Sequence, residues 1–94
     1  MNKYETIFLV KETLTEEQRK TIFDKIESYI TANGKIIEIN DLGLKKLAYE
    51  VRKNKQAYYY QIYFEAESTI ICELERLYRI TDDILKFITI KQDN

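Results

Sequence analysis

The fold of this 94-residue chain is decided by residues 35–67, which read KIIEINDLGLKKLAYEVRKNKQAYYYQIYFEAE. Both ends of this stretch are rich in β-branched and aromatic residues, which favour strands. Residues 52–56 form a polar break between them, so two strands joined as a hairpin are predicted. We predict one long strand over 35–51, with a bulge or bend near Gly43, and a second strand over 57–67.

A helical pattern precedes this hairpin. Apolar residues spaced three and four apart predict a helix over 15–32. Thr15 and Gln18 match a capping box at its start. We expect Gly34 to end the helix in the left-handed conformation, because glycine adopts that conformation without steric cost.

A second helical pattern follows the hairpin, and strand patterns occupy both ends of the chain. The helix is predicted to begin at Ser68 and to end before Asp82, and the strands cover 3–11 and 84–91. The order β-α-β-β-α-β is the ferredoxin-like pattern. We therefore predict a single α+β domain over 1–94, with a four-stranded antiparallel sheet and two helices on one face.

The sheet face away from the helices is predicted to be open and partly apolar. Strand alternation places Ile7, Leu9, Tyr59 and Tyr63 on this face. Exposed apolar patches often mark binding sites. We expect a protein partner at the open face or the sheet edge, near Tyr59 and Tyr63. The alternative is an ordinary amphipathic sheet surface.

The composition excludes several classes of function. The chain has no His, so the commonest metal ligand and the usual general base are missing. The single Cys72 cannot form an internal disulfide, and two Gly are too few for a GxGxxG phosphate loop. We expect no catalytic residues, no metal, no cofactor and no small-molecule substrate. One unpaired Cys and the absence of an 18-residue apolar run favour a cytoplasmic protein with no membrane contact.

Charge is unevenly distributed along the chain. The net charge of −1 by itself argues mildly against a nucleic-acid partner. Residues 45–55, however, carry five basic residues against Glu50 alone, a net charge of +4. The five are Lys45, Lys46, Arg52, Lys53 and Lys55. A basic hairpin beside tyrosines suits phosphate contact and base stacking, so we predict RNA binding, with protection of the sheet edge as the alternative.

One stretch carries a specific resemblance to a known family. Residues 43–49, Gly-Leu-Lys-Lys-Leu-Ala-Tyr, resemble the hairpin signature of the bacterial small-subunit ribosomal protein S6 family. The opening Tyr4-Glu5 and the run from Arg79 to Ile84 are similar to the ends of that family, so the resemblance extends over essentially the whole chain. It implies a structural protein of the small ribosomal subunit, acting in translation. It further implies binding to the central domain of 16S rRNA together with ribosomal protein S18.

The resemblance also implies roles for individual residues. Lys45 and Lys46 match the basic positions before Leu-Ala-Tyr, Lys53 matches a Lys after that motif, and Arg79 matches a basic position at the end of the second helix. Glu50 stands where the family frequently has Pro, so we expect a straighter and slightly less basic strand there. We expect a monomer when the protein is free, and a cytoplasmic location within the ribosome.

Other functions share the predicted topology. RNA-recognition-motif proteins stack bases on central-strand aromatics, but residues 57–64 lack their basic-Gly-aromatic signature. An acylphosphatase-like enzyme needs an anion loop with Gly and Arg, and residues 11–15 contain neither. A regulatory or oligomerising binding module without RNA stays open as an alternative, since topology alone does not assign function.

Overall fold

The computed structural model describes residues 1–92, and its strands form one antiparallel sheet in the order β2-β3-β1-β4. The elements in chain order are β1 (Asn2–Lys11), α1 (Glu16–Asn33), β2 (Gly34–Val51), β3 (Asn54–Ala66), a 3-10 turn (Ser68–Ile70), α2 (Ile71–Ile80) and β4 (Ile84–Gln92). Each helix connects two strands that run parallel to each other with a third strand between them. The predicted ferredoxin-like order is therefore confirmed.

The main core lies between the sheet and the two helices. Ile26 and Ile30 of α1 and Leu74 and Tyr78 of α2 are fully or almost fully buried in it. The Tyr78 hydroxyl lies 2.8 Å from the hydroxyl oxygen of Thr6, which is itself fully buried in β1. Burial raises the pKa of Tyr78 above its ordinary value, so its hydroxyl stays neutral and hydrogen-bonded. Both helices therefore cover the same sheet face, as predicted.

Of the two predictions for the ends of α1, one is confirmed and the other is wrong. The capping box is confirmed, since the Gln18 amide donates to Thr15 Oγ1 at 3.2 Å and the Thr15 amide donates to Gln18 Oε1 at 2.9 Å. The left-handed cap at Gly34 is wrong, because Gly34 has φ −169° and begins β2 opposite Ala66. A Cβ at this position would collide with the carbonyl oxygen of Glu65 and lie 2.8 Å from the Ala66 Cβ. The close approach of β3, and not a positive φ, requires glycine here.

The predicted bend in β2 is confirmed at Gly43. The pairing of β2 with β3 shifts register between Asp41 and Gly43, and Gly43 has φ +78°. The Asp41 carboxylate accepts a hydrogen bond from the Gly43 amide at 3.0 Å. Glycine adopts this left-handed conformation without steric cost, so it permits the bulge that lets the strand continue toward the hairpin end.

The hairpin turn is tighter than the sequence predicts. Arg52 and Lys53 alone connect β2 to β3, because β3 begins at Asn54 and not at residue 57. Both turn residues have positive φ, 48° and 66°. Such two-residue turns favour Asn and Gly, so the usual sequence signal is missing here. The Asn54 side chain supports the turn by donating to the Arg52 carbonyl at 3.0 Å.

Candidate nucleic-acid interface

The Leu-Ala-Tyr motif lies in a wide bulge near the tip of the hairpin. Lys46 pairs with Gln56, but the next pair along the ladder is Val51 with Asn54. Residues 47–50 (Leu-Ala-Tyr-Glu), which we call the hairpin bulge, therefore oppose a single residue of β3. Extra residues on one strand bend it away from its partner. Because of this bulge, β2 is bent at Glu50 and not straight as predicted, although residue 50 is not a proline.

A small second core attaches the hairpin to the open face of the sheet. Leu9 of β1 and Leu85 of β4 are each only 7% exposed, although they lie outside the main core. Leu47 and Val51 of the hairpin and Tyr59 of β3 pack against them. The open face is thus covered near the hairpin. Tyr59 is half-buried at the border of this cluster rather than free in the middle of an open patch.

Two polar contacts attach the hairpin to the β4 side of the sheet. The Arg52 guanidinium donates to the carbonyl of Asp82 at 3.1 Å, in the loop before β4. The Lys86 ammonium donates to the Tyr49 hydroxyl at 3.4 Å and lies 5.6 Å from the centre of the Tyr49 ring. Arg52 therefore uses part of its donor capacity to position the turn. The remaining guanidinium donors stay exposed to solvent.

The predicted hairpin lysines are all exposed, and the structure places them at three positions on the hairpin. Lys45 lies on the open-face side, with its ammonium 6.0 Å from the centre of the Tyr59 ring. Lys46 and Lys55 lie along a groove of about 500 Å³ beside the hairpin bulge. Lys53 projects from the turn itself. The hairpin therefore presents positive charge along its side and at its tip.

The hairpin lysines make no ion pair with acidic residues in the described part of the chain. The ion pairs within residues 1–92 join the N-terminus to Glu67, Lys11 to Asp83, Lys20 to Asp24 and Arg76 to Glu73. None of them involves a hairpin lysine. Arg79 is also exposed, in the last turn of α2. The loop that follows α2 is the one that accepts the hydrogen bond from Arg52, so this helix end and the hairpin turn lie at the same end of the molecule.

The other half of the open face carries a polar network. The Gln61 amide donates to the Glu5 carboxylate and to the Tyr63 hydroxyl, the latter at 3.2 Å. Asn40 donates to Gln61 Oε1 at 3.1 Å and to Glu38 Oε2 at 2.9 Å. Desolvation, reinforced by the carboxylates of Glu5 and Glu38, raises the pKa of Tyr63. Tyr63 thus belongs to an acidic network, separate from the apolar cluster around Tyr59.

Two apolar residues on this face were missing from the sequence prediction. Ile88 and Ile90 of β4 are 52% and 45% exposed. Ile88 pairs with Ile7 of β1, and Ile90 pairs with Glu5, which places both isoleucines on the open face. The alternation of apolar residues along β4 is the sequence signal that could have identified them. The predicted partner surface is therefore an apolar strip bordered by carboxylates.

Other kinds of site find little support in the described chain. No group of three or more potential metal-ligating side chains lies together within residues 1–92. Over the same residues, no helix has the length and apolar character needed to cross a membrane.

Comparison with known proteins identifies the family. The family model described as ribosomal protein S6 matches residues 3–91. The chain belongs to the ribosomal protein S6 family. The small ribosomal subunit protein bS6 of Helicobacter acinonychis (strain Sheeba) is 48% identical over 95 residues, covering 100% of this chain and 67% of that protein. The bS6 protein of a Nitratiruptor species is 48% identical over 94 residues, covering 99% of this chain and 73% of that protein.

A solved S6 structure has the same fold. The crystal structure of 30S ribosomal protein S6 from Thermotoga maritima matches with a TM-score of 0.93 and 30% identity, covering 97% of this chain and 87% of that one. As an S6 family protein, the chain is a structural, non-enzymatic component of the small ribosomal subunit. Its partners are ribosomal RNA and ribosomal proteins. This assignment confirms the predicted family and replaces the alternative of a regulatory module without RNA.

Proposed function

We propose that this S6 family protein binds the central domain of 16S rRNA together with ribosomal protein S18, in the cytoplasmic ribosome. The observation that carries the RNA part is the set of exposed hairpin lysines that make no ion pair within residues 1–92. Lys and Arg side chains that contact phosphates release condensed counterions, and this electrostatic gain is the main sequence-independent source of affinity. The local charge of +4 matters more for this contact than the net charge of −1.

The hairpin is suited to this role because its shape is held before RNA arrives. The small core fixes the backbone through Leu47 and Val51, and Arg52 attaches the turn to the loop before β4. Lys45, Lys46, Lys53 and Lys55 therefore project from an ordered scaffold, which lowers the entropy lost on binding. Arg52 and Arg79 extend the basic surface at the same end of the molecule.

The open face is the proposed docking surface for S18. Ile7, Ile88 and Ile90 provide an apolar strip, and Glu5 lies beside it in the sheet register. Such a surface fits a partner that presents apolar residues bordered by basic or amide side chains. Tyr63 lies within this surface. Tyr59 stays part of the proposed docking surface. It lies at the border between the open face and the hairpin, where S18 and RNA would come closest together.

The charge distribution supports joint binding. A near-neutral protein attracts RNA only weakly through its overall field, and one basic hairpin supplies a limited number of phosphate contacts. A basic partner bound to the open face adds the missing positive charge next to the hairpin. We therefore expect a free monomer that binds the rRNA more tightly with S18 than alone.

The test is a binding titration of a central-domain 16S rRNA fragment with this protein, with S18, and with both. Tighter RNA binding by the two proteins together than by either alone supports the proposal, and independent binding contradicts it. For the docking surface, Ile88→Ala is compared with Ile37→Ala, because Ile37 is equally exposed (50%) but lies on the β2 edge. We expect Ile88→Ala to weaken S18 binding by about 1 kcal/mol while Ile37→Ala has no effect. Equal effects of the two substitutions would place the S18 site elsewhere.

A further inference from the structure

We infer that the hairpin bulge and the groove beside it bind one unpaired RNA nucleotide, with Tyr49 stacking on the base and Lys46 and Lys55 contacting its phosphate. This inference rests on the proposed RNA binding and adds to it the class of RNA element recognised. A paired base in an A-form helix does not offer its face to a side chain, whereas bases in loops and bulges do. The site would therefore select a nucleotide that is already unpaired.

The exposure of Tyr49 is the first observation behind the inference. Tyr49 is 67% exposed, and it is the single exposed aromatic side chain among residues 1–92. The other seven tyrosines and the four phenylalanines are buried or half-buried. An exposed ring contributes little to the stability of the free protein, because its apolar surface stays in water. A flat exposed ring at the edge of a basic groove is the surface that base stacking requires.

The ring is also held in place before a ligand binds. The Lys86 ammonium donates to the Tyr49 hydroxyl at 3.4 Å and lies 5.6 Å from the ring centre. Leu47 and Val51 fix the backbone on either side by packing into the small core over the open face. A side chain with restricted freedom loses less entropy when a base stacks on it. Lys86 also adds a positive charge next to the stacked base.

The groove beside the ring supplies the remaining groups that a nucleotide needs. Its volume of about 500 Å³ lies in the range of small-ligand sites. Lys46 and Lys55 line it and provide two positive charges for a phosphate. Gln56, which also lines the groove, has both a donor and an acceptor for a base edge. Glu50 is the one acidic residue of the lining, where it disfavours a second phosphate but accepts from a base amino group or a ribose hydroxyl.

The charge of this groove favours RNA over a protein segment as its occupant. Lys46 and Lys55 make no ion pair within residues 1–92, so their charges are available to an anion. A protein partner would be expected at the apolar strip of the open face, on the other side of the hairpin bulge. A second, smaller cavity under the bulge, about 200 Å³, is lined by Leu9 and Tyr59 as well as by Tyr49 and Lys86, so Tyr49 lies at the border between the groove and the apolar side.

Ultraviolet crosslinking tests the inference directly on the wild-type protein. The protein is bound with S18 to the central-domain rRNA fragment and irradiated, and the crosslinked peptides are identified by mass spectrometry. We expect an adduct of one nucleotide on Tyr49. Absence of an adduct on the peptide containing Tyr49, while other residues of the hairpin crosslink, would overturn the inference.

Substitutions give an independent measure of stacking. We expect Tyr49→Leu to weaken RNA binding by at least about fivefold, because base stacking on an aromatic residue is lost. Tyr49→Phe, which keeps the ring, should rescue most of this loss. Ile37→Ala, an exposed substitution on the β2 edge, serves as the control and should bind like wild type. Urea unfolding of each variant confirms that the fold is unchanged.

The outcomes separate this inference from the proposed function. If wild-type protein and S18 bind the rRNA fragment but Tyr49→Leu binds equally well, the nucleotide site is wrong and the proposed function stands. If wild-type protein fails to bind the fragment with S18, the proposed function itself fails. If Tyr49→Leu weakens binding to S18 in the absence of RNA, the ring contacts protein and the nucleotide site is again overturned.

Discussion

Removing two charges from the hairpin tip tests whether this segment contacts RNA phosphates. The double variant Lys53→Gln/Lys55→Gln removes two exposed ammonium groups that make no ion pair within residues 1–92. Glutamine keeps a long polar side chain. At position 53, where φ is 66°, it bears the same backbone strain as lysine, so the turn should keep its shape.

The expected size of the effect follows from counterion release. Each phosphate contact contributes about 0.7 to 0.9 to the slope of log K against log salt concentration. Loss of two contacts should therefore make the slope shallower by about 1.4 to 1.8. Over a fourfold increase in salt, the wild-type complex should lose about tenfold more affinity than the variant complex.

The assay is a filter-binding titration of the rRNA fragment with S18 and each protein at several salt concentrations. The matched control is Lys25→Gln/Lys35→Gln. Both residues are exposed, make no ion pair within residues 1–92 and lie away from the hairpin tip, in α1 and at the start of β2. The change takes the net charge from −1 to −3, the same change as in the hairpin variant. We expect the control to keep the wild-type slope. Equal slopes for all three proteins would refute phosphate contact by the hairpin tip. Equal reductions in both variants would show that only the overall charge matters.

Three further predictions concern stability and are checked by urea unfolding. Gly34→Ala should lower the free energy of unfolding by about 1–3 kcal/mol, because the new Cβ meets the Glu65 carbonyl; an unchanged midpoint would mean that β3 moves aside at no cost. Tyr78→Phe should cost about 1 kcal/mol through the lost hydrogen bond. Burial raises the folded-state pKa of Tyr78 above its unfolded value of 10.0, so its stabilisation is complete below that pH and is lost as the pH rises further. The Phe variant should therefore lose less stability than wild type in alkali, and parallel losses would contradict this account. Lys53→Gly should raise the free energy of unfolding by about 0.5–1 kcal/mol by relieving the positive φ, and a decrease would show that no strain is present.

Much of the fold was predictable because its signals are local. Apolar spacing and strand alternation predicted the element order. The observed bounds of the helices and strands differ from the predicted bounds mainly around the hairpin. The capping box of Thr15 and Gln18 depends on groups three residues apart, so it is visible in the sequence. The bulge at Gly43 was predictable for the same reason, since glycine inside a strand pattern commonly marks one.

The features that were predicted wrongly depend on contacts between distant parts of the chain. Gly34 is extended because β3 approaches it closely, and nothing near it in the sequence reports that approach. The turn at Arg52 and Lys53 is short because β2 pairs with β3 once more beyond the hairpin bulge, at Val51 and Asn54, although neither turn residue favours positive φ. Strand register is set by the packing of whole faces, which local propensity does not describe.

The sequence by itself determined the chemistry of this protein: the lysine-rich hairpin, the Leu-Ala-Tyr motif, and the absence of His and of a glycine-rich phosphate loop. Only the tertiary structure decided which of these side chains lie together on one surface. The hairpin bulge folds onto Leu9, which leaves Tyr49 exposed beside the lysines and places Tyr59 in the small apolar cluster, whereas Tyr63 belongs to the acidic network. The physical reason is that residue types set charge and apolar area, whereas strand register and long-range burial set which side chains share a surface.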